Sequence, residues 1–199
     1  LSADNRNIAG FGFVGAGRAL DTWGDYDVIN GITAFQLTEA DDLLLAGQDG
    51  VAVRGRGGND AFTGGDGADQ FSGGDGDDIA TGGSGNDDLN GDDGNDVLSG
   101  GAGRDHLSGQ SGNDVLSGDD GNDSLNGDDG DRLHGGNGHD DVNGGSGNDQ
   151  LYGDSGNDYL YGDDGDDLID GGVGDDDLNG GNGKDTIFGG LGNDRVRGE

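Results

Sequence analysis

Three features of this sequence predict an all-β solenoid with coils of 18 residues and two stacked parallel sheets. The first is a nine-residue repeat that begins at Gly55 and continues through sixteen consecutive units. The second is a single apolar residue at one fixed position of every unit. The third is a composition with 51 glycines, no proline, and 43 acidic residues of which only Glu39 and Glu199 are glutamate. Glycine and aspartate favour turns, so the chain should consist of short strands between tight turns.

The repeat has four fixed columns. Glycine fills positions 1 and 4, aspartate fills position 6, and position 8 is apolar in all sixteen units. Each unit has nine residues except the one that begins at Gly127, which has eight because its fifth position is missing. Position 2 departs from glycine most often, at Arg56, Asp92, Gln110, Asp119, Asp128, Asp154 and Asp163.

Each column has a structural interpretation. Positions 7 to 9 predict a three-residue strand in which position 8 points inward and its two neighbours point outward. Positions 1 to 6 then form a turn, where glycine permits positive φ and a close approach of the backbone to an ion. Two units bring the chain back over its start. The predicted inward residues are Phe62, Phe71, Ala80, Leu89, Leu98, Leu107, Leu116, Leu125, Leu133, Val142, Leu151, Leu160, Ile169, Leu178, Ile187 and Val196.

The units resemble the Gly-Gly-x-Gly-x-Asp-x-U-x nonapeptides of RTX proteins, in which U is apolar. The resemblance covers residues 55–199. It implies a right-handed parallel β-roll with calcium ions in the turns, in a bacterial protein exported by a type I system. It also implies that the repeat block is not itself a catalyst, and that it stays unfolded in the calcium-poor cytosol and folds outside the cell.

The residues themselves also favour calcium. One apolar side chain per nine residues is a small core, and repulsion among the aspartates opposes folding further. A divalent cation bound by carboxylate and backbone carbonyl oxygens would offset both effects, and calcium suits an all-oxygen shell better than magnesium or zinc. The predicted carboxylate ligands are Asp60, Asp69, Asp78, Asp87, Asp96, Asp105, Asp114, Asp123, Asp131, Asp140, Asp149, Asp158, Asp167, Asp176, Asp185 and Asp194.

These aspartates predict many ions and folding that depends on them. If each ion joins one turn to the next turn on the same side of the roll, sixteen turns offer up to fourteen positions. Fourteen Ca²⁺ ions would carry a charge of +28 and would reduce the formal charge of -34 to about -6. The eight-residue unit puts the site near Asp131 in question. We expect the repeat region to be disordered without calcium and to fold when it binds.

The region before the repeats divides into two parts. Residues 35–54 continue the inward column in steps of nine at Phe35, Leu44 and Val53, but the position-6 column gives Asp42 and then Val51. We predict a degenerate first coil there, with the same core, little or no metal, and a shielding role at the end of the stack. Residues 1–34 predict a cap or the remnant of a preceding domain. Both ends of the sequence suggest a piece of a longer chain.

Position 7 gives the two sheets different outer rows. One row contains Ala61, Ile79, Val97 and Val115, and the opposite row contains Gln70, Asp88, His106 and Ser124. The apolar row is explained by the strand propensity of half-exposed residues, or alternatively by docking of another domain or subunit. The acidic surface disfavours nucleic acid, and no apolar run reaches the roughly 20 residues that span a bilayer.

No sequence feature indicates catalysis. The chain lacks His-Glu-x-x-His, Gly-x-Ser-x-Gly and phosphate-binding-loop motifs, and His106, His134 and His139 fall at exposed columns of the repeat. Three functional classes remain open. The chain is a calcium-driven folding module of a secreted surface, matrix or toxin-like protein, or the non-catalytic C-terminal module of a secreted protease, lipase or alginate epimerase. The third class is a roll that binds polysaccharide or ice.

Overall fold

The computed structural model describes residues 12–14, 18–20, 26–27 and 34–198. The first three segments are strands of a small antiparallel sheet, β1 (Gly12–Val14), β2 (Arg18–Leu20) and β3 (Tyr26–Asp27). Most of the predicted cap over residues 1–34 lies outside the described residues, so it stays a prediction.

From residue 34 onward the chain alternates between two parallel sheets, and each strand pairs with the strand two further along the chain. The ten-stranded sheet consists of β4 (Ala34–Gln36), β6 (Ala52–Gly57), β8 (Gln70–Asp75), β10 (Asp88–Asp93), β12 (His106–Ser111), β14 (Ser124–Asp129), β16 (Asp141–Ser146), β18 (Tyr159–Asp164), β20 (Asp177–Asn179) and β22 (Arg195–Arg197). The nine-stranded sheet consists of β5 (Leu43–Leu45), β7 (Ala61–Gly65), β9 (Ile79–Ser84), β11 (Val97–Gly103), β13 (Val115–Gly121), β15 (Arg132–Asn137), β17 (Gln150–Ser155), β19 (Leu168–Asp170) and β21 (Thr186–Phe188).

The register confirms the predicted solenoid of 18-residue coils. Leu89 pairs with Phe71 on one side and with Leu107 on the other, so equivalent residues of successive coils lie directly above one another. The same spacing continues through both sheets, except where the eight-residue unit reduces it to 17 residues, between β13 and β15 and between β14 and β16. Two nonapeptide units therefore make one coil. Each unit contributes one strand, and successive units contribute to the two sheets alternately.

The predicted strand length was too short. Most strands from β8 to β18 have six residues, from position 7 of one unit to position 3 of the next, and the turn is confined to positions 4 to 6. Alternation continues through the position-1 glycine, which is buried like position 8, as in the exposed-buried-half-buried-buried pattern of Asp88 to Gly91. Three-residue strands occur only at the ends of the roll, among them β5 and β21.

Position 2 needs a left-handed backbone conformation. All seven residues that replace glycine there have positive φ, between 66° at Asp154 and 88° at Asp128. Aspartate tolerates this region better than most residues with a Cβ atom. This tolerance explains why five of the seven replacements are aspartate.

Position 8 forms the core, as predicted, with one correction. The inward residues from Phe62 to Leu178 are at most 3% exposed, and the stacked rings of Phe62 and Phe71 lie 5.3 Å apart. Ile187 is only partly buried, and Val196 was predicted to be inward but is 51% exposed. Val196 lies in the last described coil, where no later described coil covers it.

The burial of the core predicts that substitutions at two adjacent residues of β13 differ widely in their effect on the free energy of unfolding. Leu116 is fully buried and Val115 is 41% exposed. We expect Leu116→Ala to lower the free energy of unfolding in saturating calcium by about 2 to 5 kcal/mol, because the coils above and below cannot close the cavity. The control Val115→Ala should cost less than about 1 kcal/mol. Denaturant unfolding measures both, and equal losses would contradict this assignment of inward and outward faces.

The predicted outer rows exist as registered columns. Ala61, Ile79, Val97 and Val115 are aligned on the nine-stranded sheet, and the last three are 41% to 55% exposed. Leu43 precedes them in the same column and is 50% exposed. Docking of a domain or subunit on this row remains a prediction.

Candidate metal sites

The position-6 aspartates lie inside the roll, at the end of each turn and immediately before the next strand. Eight of them precede strands of the nine-stranded sheet and form the first row: Asp60, Asp78, Asp96, Asp114, Asp131, Asp149, Asp167 and Asp185. The other eight precede strands of the ten-stranded sheet and form the second row: Asp69, Asp87, Asp105, Asp123, Asp140, Asp158, Asp176 and Asp194. Fourteen of these residues are at most 3% exposed, and only Asp185 and Asp194 are half-buried.

One carboxylate oxygen of every position-6 aspartate is used by the protein. The Oδ1 atom of Asp78 accepts the backbone N–H of Asp60, at 2.6 Å, and the same bond joins Asp69 to Asp87 at 2.8 Å. All sixteen Oδ1 atoms accept such a bond from the preceding coil, at 2.6 to 3.2 Å. We call these two series of bonds the inner ladders.

The other carboxylate oxygen has no partner. The Oδ2 atoms of fifteen of the sixteen aspartates, all except Asp194, are buried and receive no hydrogen bond from the described residues. An unpaired buried carboxylate oxygen is costly in a folded protein. Fifteen of them in equivalent places indicate that the fold needs something else at these positions.

A second oxygen lies beside each of several orphaned Oδ2 atoms. A Cβ atom built on Gly118 would be 2.5 Å from Asp123 Oδ2 and 2.5 Å from the carbonyl oxygen of Gly135, in the next coil. Gly171 shows the same arrangement, with Asp176 Oδ2 at 2.5 Å and the Gly189 carbonyl oxygen at 2.6 Å. A side chain at position 1 would fill this space, which explains the invariant glycine. Two acceptor oxygens without a donor between them form an environment that suits a cation.

The pKa values of these carboxyl groups also reflect their burial without a positive partner. Burial raises the pKa of Asp78, Asp123, Asp131 and Asp158 from the usual 3.8 to about 7, although the backbone N–H bond opposes the shift. Repulsion from neighbouring aspartates adds to it. A carboxyl group with such a pKa binds either a proton or a positive partner readily near neutral pH.

Side chains alone do not form these sites. Within residues 34–198, no three His, Cys, Asp or Glu side chains converge as a metal-binding group. A cation shell would therefore need backbone carbonyls beside one or two carboxylates, as the glycine-rich turns led us to expect. Oxygen-only shells of this kind suit calcium, whereas zinc prefers nitrogen or sulfur ligands.

A second set of bonds on the outside of the turns was missed by the sequence analysis. At position 5, the side-chain oxygen of Asn59 accepts the N–H of Asp77, and that of Asp77 accepts the N–H of Asn95. Ten such bonds, together with one in which the Nδ1 atom of His139 is the acceptor, form two outer ladders at 2.8 to 3.1 Å. The signal was present, because eleven of the fifteen residues at position 5 are asparagine or aspartate.

The histidines have structural contacts. His139 substitutes for asparagine in an outer ladder, where its Nδ1 atom accepts the N–H of Asn157 at 2.8 Å. His134 stacks on Tyr152, with ring centroids 4.5 Å apart, and contacts Asp154 at 3.1 Å. His106 and His139 are exposed, as predicted for their columns of the repeat, whereas His134 is half-buried.

The first coil differs from the repeats at its ligand positions. The Oδ2 atom of Asp42 accepts the N–H of Thr38 at 2.7 Å and its hydroxyl at 2.8 Å, so this oxygen has the hydrogen-bond donors that the Oδ2 atoms of the repeats lack. Val51 occupies the next position 6, is 3% exposed and packs in the core. Its N–H still donates to Asp69 Oδ1 at 2.7 Å, so the inner ladder begins without a carboxylate at Val51.

Stacked parallel coils, buried aspartates with unpaired oxygens and glycine-rich turns define a cation-binding repeat roll. The sequence model of the RTX calcium-binding nonapeptide repeat matches in overlapping segments that together cover residues 38–199. The chain therefore belongs to the RTX calcium-binding repeat family, as its nonapeptides indicated, and the roll is a calcium-binding, non-catalytic repeat module. No curated protein matches the sequence. None of the described residues form a helix long and apolar enough to cross a membrane.

Proposed function

We propose that this chain is a folding module driven by extracellular calcium, and that its position-6 aspartates are the carboxylate ligands. The observation that supports this proposal is the series of fifteen buried Oδ2 atoms without a hydrogen bond. A bound Ca²⁺ ion supplies the positive charge that these oxygens lack. The Oδ1 atoms hold each carboxylate in place through the inner ladders, so its free oxygen is already oriented when the coils stack.

The arrangement of the turns sets the number of ions we propose. Each row contains eight turns and seven gaps between neighbouring turns, so the two rows offer up to fourteen positions. The carbonyl oxygen of the position-1 glycine in the next coil is a further ligand at gaps such as Gly118 to Gly135. Occupation of all fourteen gaps would remove most of the formal charge of -34.

We include residues 35–54 in the proposal as a first coil that needs no metal. Thr38 satisfies the Oδ2 atom of Asp42, and Val51 replaces the next carboxylate with core volume. Leu37 and Leu44 add to the core of this coil, where they are 4% and 0% exposed. A coil with more apolar burial and fewer unpaired carboxylates can hold its shape at calcium concentrations that leave the repeats unfolded.

The proposed place of action is outside the cell. RTX repeat proteins are typically secreted, and weak calcium sites suffice where calcium reaches about 10⁻⁴ to 10⁻³ M. The density of buried carboxylates supports this context, because a chain that requires many ions stays unfolded where calcium is scarce.

A calcium titration tests the proposal. We expect circular dichroism to show little strand structure in excess chelator at neutral pH and a cooperative gain of strand signal as calcium rises. Native mass spectrometry should count up to fourteen bound ions. Magnesium at the same concentration should produce far less structure, because it retains its waters and demands a stricter octahedral shell. A full strand signal in chelator, or equal effects of the two metals, would contradict the proposal.

A further inference from the structure

The eight-residue unit leaves the inner part of its turn intact. Asp131 is 3% exposed, its Oδ1 atom accepts the N–H of Asp114 at 2.6 Å, and its Oδ2 atom is as unpaired as those of its neighbours. A Cβ atom on Gly127 would meet Asp131 Oδ2 and the carbonyl oxygen of Gly144, as in regular units. Deletion of position 5 therefore leaves the carboxylate in its place in the first row.

The outer part of the same turn is different. The first-row outer ladder runs from Asp41 to Asn113 and resumes only at Asn148, because the unit between them has no residue at position 5. The pairing of β12 with β14 ends at Gln110 and Asp128, whereas β14 pairs with β16 one residue further, to Asp129 and Ser146. The turn is thus detached from the preceding coil on its outer side.

The backbone oxygens of this turn also point elsewhere. In regular gaps the position-4 carbonyl faces the position-4 glycine of the next coil, as Gly94 faces Gly112. At Gly130 the nearest atom to a built Cβ is instead the side-chain Oδ1 of Asn113, at 2.9 Å, and at Gly147 it is the amide nitrogen of Gly130. The φ angle of Gly130 is 48°, whereas that of Gly112 is 135°.

A second interruption of an outer ladder provides an internal comparison. Arg104 occupies position 5 in the second row and offers no acceptor to Asn122, yet the neighbouring backbone is regular, because a Cβ on Gly121 would meet the Gly103 carbonyl oxygen. Loss of one outer-ladder bond alone therefore does not turn the position-4 carbonyl away from the position-4 glycine of the next coil. The change at Gly130 follows from the shortened backbone.

We propose that the two gaps beside the eight-residue turn, Asp114 to Asp131 and Asp131 to Asp149, are the weakest calcium positions of the roll. This inference rests on the proposed function. Calcium affinity depends on the number and rigidity of oxygen ligands. These gaps keep their carboxylates and the position-1 carbonyl, but they lack the outer-ladder bond and the regular position-4 backbone contact that hold the other first-row turns in place. They divide the first row into a block from Asp60 to Asp114 and a block from Asp149 to Asp185, while the backbone of the second row has no such deletion. The roll opens first at this turn when calcium becomes limiting.

Stepwise removal of calcium from the wild-type chain, followed by native mass spectrometry, tests the inference. We expect up to two ions to leave at calcium concentrations about tenfold higher than the rest, which is the effect of losing about one hydrogen bond that holds the ligands in place. In hydrogen exchange under the same conditions, the amides of Gly130 and Asp131 should lose protection before those of Gly94 and Asp96 in a regular turn. This measurement needs no variant.

Three variants complete the experiment. Insertion of one asparagine between Gly130 and Asp131 should abolish the early loss, and deletion of Asn95 should create a second early loss in the first row. The control Arg104→Asn restores a ladder acceptor without a change in chain length and should leave the early loss as it is. If the wild type and the insertion variant bind normal amounts of calcium and release them identically, the inference is overturned and the proposed function stands. If no variant binds calcium, the proposed function fails as well.

Discussion

Acid should replace calcium as the agent that folds this chain. In excess chelator at pH 7.5 to 8 we expect little strand structure, and acidification to about pH 4.5 should restore a large part of the strand signal. The reason lies in the buried aspartates. Burial raises the pKa of residues such as Asp78 and Asp123 from 3.8 to about 7, and those of Asp96 and Asp149 to about 6.

The direction of this pH dependence follows from the protons that the chain takes up when it folds. Between about pH 4 and pH 7 the folded chain binds more protons than the unfolded chain, so the stability of the calcium-free roll increases as pH falls through this window. That stability is fully present below the unfolded pKa and is lost as pH rises through about 7. Calcium binding has the opposite dependence, because its carboxylate ligands must be deprotonated.

Two titrations measure this effect. Circular dichroism in chelator from pH 8 to pH 4 should show the gain of strand structure, and calcium titrations at pH 7.5 and pH 5.5 should show a higher half-saturating concentration at the lower pH. Dynamic light scattering separates folding from precipitation as the net charge decreases. A chelated chain that remains unfolded at pH 4.5 while still soluble would show that charge burial is not the main obstacle to folding.

Removal of a single interior charge should have opposite effects with and without calcium. Asp87 is 2% exposed, and its Oδ1 atom accepts the N–H of Asp69 at 2.8 Å. In Asp87→Asn the carboxamide oxygen keeps that bond, but the nitrogen replaces the orphaned Oδ2 atom. We expect the half-saturating calcium concentration to rise at least tenfold, since loss of even an outer-shell partner costs 10- to 100-fold in metal affinity.

Without calcium the same substitution should favour the folded state. Burial raises the pKa of Asp87, and the new N–H₂ group would lie next to the Gly100 carbonyl oxygen, which borders the same space beside Gly82. Less acid should then be needed to form strands in chelator. The matched control is Asp88→Asn, an identical charge change on an exposed neighbour, which should leave both midpoints nearly unchanged. Equal effects of the two substitutions would contradict the ligand role of position 6.

The fold was predictable because the nine-residue repeat fixes which residues recur at equivalent places in every coil. The column at position 8 placed the core residues correctly for nearly the whole roll, from Phe62 to Leu178. Strand length was not predictable in the same way. A glycine after position 9 usually indicates the start of a turn, yet here the position-1 glycine continues the strand because its missing side chain leaves space beside the aspartate.

The candidate sites were predictable only in part. The sequence predicts the position-6 aspartates as ligands, and this stays a prediction. It did not show that one oxygen of each is already bonded to the preceding coil, because those bonds join residues in different coils, such as Asp60 and Asp78. The outer ladders escaped notice because asparagine at position 5 also suits a solvent-exposed turn. Val196 keeps its predicted column, in register with Leu178, but it is 51% exposed because no later described coil covers it.

Apart from the eight-residue unit, an 18-residue register runs through the roll, so one full coil is the unit by which this molecule can change in length. Excision of 18 residues would return every downstream side chain to its original sheet and column, so the strands on either side of the excision would pair in register again. Excision of nine would transfer every later strand to the opposite sheet and would interrupt the column of Ala61, Ile79, Val97 and Val115 with side chains from the column of Gln70 and Asp88. Duplication or loss of whole coils therefore alters ion capacity and reach without any redesign of the surface.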